Sequence, residues 1–224
     1  MYSLSWRPVR VGSYALNFGN SDIITINVTN NAPTLNYRVF NTSFQYESII
    51  GTPLNASDES IHTLTIAFPI YFNANASGYS KIYVSSNGTI SFSNNTNPGY
   101  NNQALPTQLA TTLVAVYWDD LIPSGSNSNI YAAITGSAPN RRLVVEWRNM
   151  KNYNASGSGT FQVIFYENSA DIRFNYLDTN FNSTNYNSGS SATVGVQTSV
   201  GVFTQFSHNS PSIPSQFSLL FKLQ

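Results

Sequence analysis

Apolar residues return at every second position in run after run of this chain, and no segment holds a helical i, i+3, i+4, i+7 stripe over three turns. "DIITINVTN" sets Ile24, Ile26 and Val28 on one side and Thr25, Asn27 and Thr29 on the other. Similar runs follow as "LNYRVF", "IHTLTIAFPIYF", "KIYVSS", "TISFS", "TTLVAVYW" and "NIYAAIT". The series continues through "RRLVVEW", "GTFQVIFYE", "ADIRFNYL", "ATVGVQTS", "VFTQFS" and "SQFSLLFKL". Clusters of Gly, Asn, Ser and Pro separate them, as strand-forming sequences require. Asn87-Gly88 between two such runs predicts a tight hairpin of type I′, with positive φ at both central residues. This density of short strands predicts an all-β fold, a two-sheet antiparallel β-sandwich. Residues 94–110 and 178–191 read as Asn/Ser/Gly-rich loops, and no internal repeat is visible.

A chain of 224 residues is long enough to bury its own core. Charged residues make up only 9% of it, ten basic against ten acidic, so there is no basic footprint for nucleic acid. Polarity comes from Asn, Ser, Thr and Tyr. With no cysteine, disulfides and thiolate metal sites are excluded. No apolar run approaches the roughly 18 residues of a membrane span, and "MYSLSWRPVR" lacks a secretory core because Arg7, Pro8 and Arg10 interrupt it. Acceptor patterns for N-linked glycans occur at Asn27, Asn41, Asn55, Asn75, Asn87, Asn94, Asn154 and Asn182, nearly all at turns or on the polar side of a strand. Glycans there would supply the solubility that charge does not.

Four segments in order resemble the nidogen-type extracellular domain in a cysteine-free microbial form. They are "FPIYFNANASGYSKIYVSSNGTISFS", "LVAVYWDDL", "GTFQVIFYENSADIRFNYLD" and "ATVGVQTSVG". The resemblance spans roughly residues 66 to 200. It implies an extracellular, non-enzymatic β-sandwich used in adhesion or assembly. The animal form's cysteines and adjoining repeats are missing here, so its binding partners do not carry over.

Catalytic motifs are absent, and the two histidines, His62 and His208, have no acid partner or nucleophile motif beside them. We expect no enzyme activity and no cofactor. Asp119 and Asp120 close an apolar strand before an oxygen-rich loop. They form a candidate site for a hard cation such as Ca²⁺, against a simpler reading as Asx-turn acceptors. Arg141, Arg142 and Arg148 with Glu146 read as solvent-side ion pairs. Lys81, Lys151 and Lys222 read as solvated, although each is a formal isopeptide candidate. The aromatic residues read mainly as core, with a sugar-stacking shelf as the alternative.

The first residues bear most on function. Tyr2, Leu4 and Trp6 alternate with Ser3, Ser5 and Arg7, and Val9 and Val11 resume the alternation out of phase beyond Pro8. A bulge at Pro8 would return them to the same face. Two readings stay open: a strand of the chain's own sandwich, or a donor strand that completes a neighbouring subunit. In the second reading residues 1–20 are donor strand and linker, with "GSYALNFGNS" as spacing, and 21–224 are the sandwich. Such a chain is similar in design to subunits of crenarchaeal surface threads: a head-to-tail, glycosylated homopolymer forming an extracellular appendage for adhesion or biofilm. The alternative is a monomeric adhesin module that binds glycan or matrix protein.

Overall fold

The computed structural model of the chain describes residues 12–17, 23–28, 35–73, 77–93 and 98–224. Two compact units result, residues 1–34 and 35–224. In the first, β1 (Gly12–Asn17) pairs antiparallel with β2 (Ile23–Val28), Gly12 opposite Val28 and Asn17 opposite Ile23. The stretch expected to be a linker is therefore partly strand. Its Tyr14 and Leu16 do alternate with Ser13, Ala15 and Asn17, a signal hidden by small and polar residue types. β2, expected in the sandwich, belongs to this first unit.

The second unit is the sandwich. Its strands are β3 (Tyr37–Thr42), β4 (Thr52–Pro53), β5 (Ile61–Ile70), β6 (Tyr79–Ser85), β7 (Thr89–Ser91), β8 (Leu113–Trp118) and β9 (Leu121–Pro123). Then come β10 (Asn129–Thr135), β11 (Arg142–Asn152), β12 (Ser158–Tyr166), β13 (Ile172–Asp178), β14 (Thr193–Ser199), β15 (Val202–His208) and β16 (Phe217–Leu223). The larger sheet runs β3-β16-β13-β12-β11-β10-β4 with β9 also on β11, and the smaller runs β15-β14-β8-β7-β6-β5. All pairings are antiparallel. The two-sheet all-β architecture expected from period two is what forms.

Between the sheets the core is aromatic. Tyr117 stacks on Phe161 at 5.2 Å, and Phe161 stacks on Trp147 at 5.3 Å. Buried rings need partners for their polar tips. Tyr176 Oη donates to Val116 O at 2.8 Å, Trp147 Nε1 to Ser85 O at 2.9 Å, and Gly189 N donates to Tyr117 Oη at 2.9 Å. A band of such rings at roughly 0.5–1.5 kcal/mol per pair beyond area burial fixes how the sheets face each other.

Each sheet also has a covered outer face, and both covers are held the same way. Residues 43–51 cross the larger sheet from β3 to β4. There the Gln162 side chain accepts from Glu47 N at 3.0 Å and donates to Glu47 O at 3.0 Å. Residues 98–112 lie on the smaller sheet, where Gln197 accepts from Thr107 N at 2.8 Å and donates to Thr107 O and Ala110 O at 3.0 and 2.7 Å. A primary amide can imitate one rung of a ladder because it carries both a donor and an acceptor. Under the second cover, Leu113, Ala115 and Trp118 are buried on the outer side of β8, which is why "LVAVYW" reads as a continuous apolar run.

The two flanks of the sandwich differ. On one, Asn36 Nδ2 donates to Phe203 O at 2.9 Å and Thr204 Oγ1 donates to Tyr37 O, joining β3 to β15. On the other, β5 ends the smaller sheet, and β4 covers only Tyr131 and Ala132 of β10. Among the described residues of the sandwich unit, that flank stands open.

Candidate functional site

Tyr2, Leu4, Trp6, Val9 and Val11 lie outside the described residues, as do Asn75 and Asn94. Asn27 is on β2. Asn41, Asn55, Asn154 and Asn182 are exposed. Asn87 is not an available acceptor in the folded chain, because it is fully buried. Its Nδ2 donates to Glu59 Oε1 at 2.8 Å and its Oδ1 accepts from Leu121 N at 3.0 Å. The hairpin around it forms, but not with the expected turn. Tyr83 and Val84 pair with Ser91 and Ile90 across a longer connection, and Gly88 alone takes positive φ (73°). A glycine is compulsory there on a second ground: a Cβ would sit 2.0 Å from Tyr117 O.

On this turn rests a carboxylate-rich recess at one end of the sandwich. Asn87 positions Glu59, Asp119 and Asp120 close β8, and Tyr153 N donates to Asp120 O at 2.9 Å. Carboxylate oxygens of Asp58, Glu59 and Asp120 come within 4.8 Å of one another. Burial, then the charges of Asp58, Glu59 and Asp119, push the Asp120 carboxyl up to about 6. Tyr100 and Tyr153, 56% and 55% exposed, and Asn154 line the same recess of about 390 Å³. Such an oxygen cluster has the hard-ligand chemistry a divalent cation takes. The adjacent pair expected to act together is split, however. Asp119 is buried, accepts from Ser191 Oγ at 2.6 Å and from Asp120 N at 2.9 Å, and so serves the turn. Burial raises its carboxyl, opposed by those two bonds.

The opposite end carries arginines. Arg141 grips Glu167 through Nε (2.9 Å) and Nη2 (2.6 Å), and this bidentate partner holds the Glu167 carboxyl down to about 2. Arg142 pairs with Glu47 at 3.2 Å. Arg173 donates to Tyr166 Oη at 3.2 Å and to Ser43 O at 3.4 Å, without an ion-pair partner among the described residues. These groups line a recess of about 430 Å³. Only part of the expected ion-pair cluster forms. Arg148 does pair with Glu146, but Glu146 is 1% exposed rather than solvent-side, and Arg148 lies 4.1 Å over the Tyr131 ring.

On the open flank a third recess of about 200 Å³ is apolar, walled by Leu54, Leu64 and Ile66 on one side and Ile134 and Leu143 on the other. Ile134 shares the core-facing row of Ile130, yet is 43% exposed. Beyond Ala132 no described strand pairs with the outer edge of β10, and none with that of β5. The histidines stand apart from all three recesses: His62 Nε2 is 3.0 Å from Ser60 Oγ and His208 Nδ1 is 2.8 Å from Thr193 Oγ1. Among the described residues no helix is long and apolar enough to cross a membrane.

Comparison with known proteins agrees with the geometry. No curated protein and no solved structure matches the chain. A family model described as "NIDO related" matches residues 36–219, which takes in nearly all of the sandwich unit and well over half of the chain. The chain therefore belongs to the NIDO-related family.

Proposed function

We propose that this chain is a non-enzymatic structural subunit of an extracellular filament, assembled head-to-tail by strand donation and glycosylated at its exposed acceptor sites. A nidogen-related domain points to an extracellular module; the filament goes further. The observation that carries it is the open flank, where an apolar recess lies between the edge of β5 and the stretch of β10 beyond Ala132, neither with a ladder partner among the described residues. Unpaired edges are an aggregation hazard unless something covers them. The occupant is residues 2–11 of a second copy, whose period-two pattern would send Tyr2, Leu4 and Trp6 inward while its backbone pairs with an edge. A heterologous contact of that kind propagates into a fibre unless its rotation closes a ring.

Electron microscopy of purified full-length chain tests this directly. Ordered fibres are expected, lost on deleting residues 1–11 and lost also in Ile134→Lys, which blocks the recess at an exposed position. Adding the free peptide "YSLSWRPVRV" to the truncated chain should yield a capped monomer. A truncated chain that stays a stable monomer and ignores the peptide would sink the filament reading. The second reading, a monomeric adhesin module, draws on the two exposed tyrosines over the carboxylate recess, a pairing of flat rings and polar groups that suits a sugar. A stable full-length monomer retained on a glycan column would favour it.

A further inference from the structure

The arginine-lined recess raises the question of what anion it receives. Arg141 is spent on Glu167, whereas Arg173 has no carboxylate partner and Arg142 shares one with the covering segment. Tyr166 Oη, whose lone pairs already accept from Arg173, and Ser169 add polar groups. The two carboxylates in the lining, Glu167 and Asp171, are each paired, with Arg141 and Lys222, which leaves Arg173 as the unpaired charge. In a chain with 9% charged residues, such a concentration is a marked bias.

At the other end of the same strand lies its complement. Arg141 immediately precedes β11 and Tyr153 immediately follows it. Eleven extended residues separate the two recesses by roughly 35 Å. The far recess presents Asp58, Glu59 and Asp120, has no Lys or Arg in its lining, and none of the three carboxylates is in an ion pair among the described residues. The openings are similar in size, about 430 and 390 Å³.

We propose that the arginine end of one copy docks on the carboxylate end of the next, a charge-matched, head-to-tail contact along the β11 axis. It goes beyond strand donation, uses none of residues 1–34, and would align subunits before a donor strand engages. Charge matching of this kind chiefly sets partner orientation and association rate, and it weakens with salt.

Paired charge reversal tests it in the full chain. Arg142→Glu with Arg173→Glu makes both ends acidic, and Asp58→Lys with Asp120→Lys makes both ends basic. Light scattering should show each variant alone associating about tenfold more slowly than the parent chain, and a 1:1 mixture recovering most of the loss. Parent association should also slow about tenfold between about 0.05 and 0.5 M salt. Thermal melts confirm that the variants fold, and Arg142→Gln with Arg173→Gln provides a neutral version should the reversals fail to. A mixture no faster than its components, or a parent indifferent to salt, overturns the contact. So does an arginine recess that retains an acidic polysaccharide while mixing has no effect. Strand donation fails separately: deleting residues 1–11 would then leave fibres intact.

Discussion

The two ends of the sandwich are built from the same strands and carry opposite chemistry. At the arginine end each carboxylate has a cation: Glu167 has Arg141, Glu47 has Arg142, and Asp171 has Lys222 at 3.9 Å. At the carboxylate end, among the described residues, Asp58, Glu59 and Asp120 have no cation partner, and Asn87 gives Glu59 an amide. One end is locally neutralised and its acid is strengthened; the other is not, and its acid is weakened. A fold holds like charges together only where something else secures them. Here that is the hairpin turn at residues 86–88, whose Gly88 O accepts from Val116 N and Tyr117 N at 3.0 and 3.2 Å.

Breaking that turn should therefore give the largest effect. Gly88→Val places a branched side chain at φ 73° and drives its Cβ into Tyr117 O. Left-handed strain of about 1–2 kcal/mol adds to overpacking of about 1–3 kcal/mol. A loss near 3 kcal/mol or more should appear in urea unfolding, and an unchanged midpoint would mean the close approach is not there. Asn87→Ala comes next. It strips Leu121 N of an acceptor at a fully buried position and exposed Glu59 of a donor, costing about 2 kcal/mol. Hydrogen exchange should show residues 57–60 loosening with it; a change confined to residues 86–91 would mean the amide does not organise the acidic end.

How much of this contrast can be read from the sequence follows from how local it is. The strands could be read, since period two is a property of neighbours, and "NIYAAIT" coincides with β10 residue for residue. The hairpin was legible as a hairpin, but its turn type depended on the close pass of β8, thirty residues away in the chain. Asp120 was visible as half of an acidic pair. Its actual companions, Asp58 and Glu59, are brought in by a separate turn in which Glu59 takes φ 54°. Likewise no local pattern distinguishes Gln162 and Gln197, each clamping a crossing segment, from any other strand glutamine. The signals at Tyr2, Leu4 and Trp6 remain sequence signals, because those residues lie outside the described structure.

At the arginine end, Arg141→Met should matter less than either change at the turn. Its pair with Glu167 has side chains 27% and 10% exposed, within reach of water and salt. The expected result is a melting temperature that moves less than in Asn87→Ala, by an amount that shrinks as salt is added. A loss as large as that of Asn87→Ala, and insensitive to salt, would show that the two ends are secured alike.

The smallest effect is also the sharpest separation of the ends, because they titrate in opposite senses. Asp120 has its pKa raised from 3.8 to about 6 in the folded chain, so between those values the folded state binds a proton that the unfolded state has lost. Stability must then fall as pH rises from about 4 to about 6. Glu167 has its pKa lowered from 4.5 to about 2, so between those values the unfolded state binds the extra proton. Its contribution is fully present above about 4.5 and is lost as pH falls towards 2. Asp119, raised by burial, adds to the falling arm, while His62, lowered from 6.5 by burial, opposes it towards the upper end of the window. The informative quantity is therefore the difference between each variant and the parent chain, in melting temperature across pH 2 to 7. Asp120→Asn should gain on the parent as pH rises from about 4 to about 6 and hold that gain above. Glu167→Gln should lose ground as pH rises from about 2 to about 4.5 and stay lower thereafter. Should both difference curves slope the same way, the two ends would not carry the opposite electrostatics that their side chains describe.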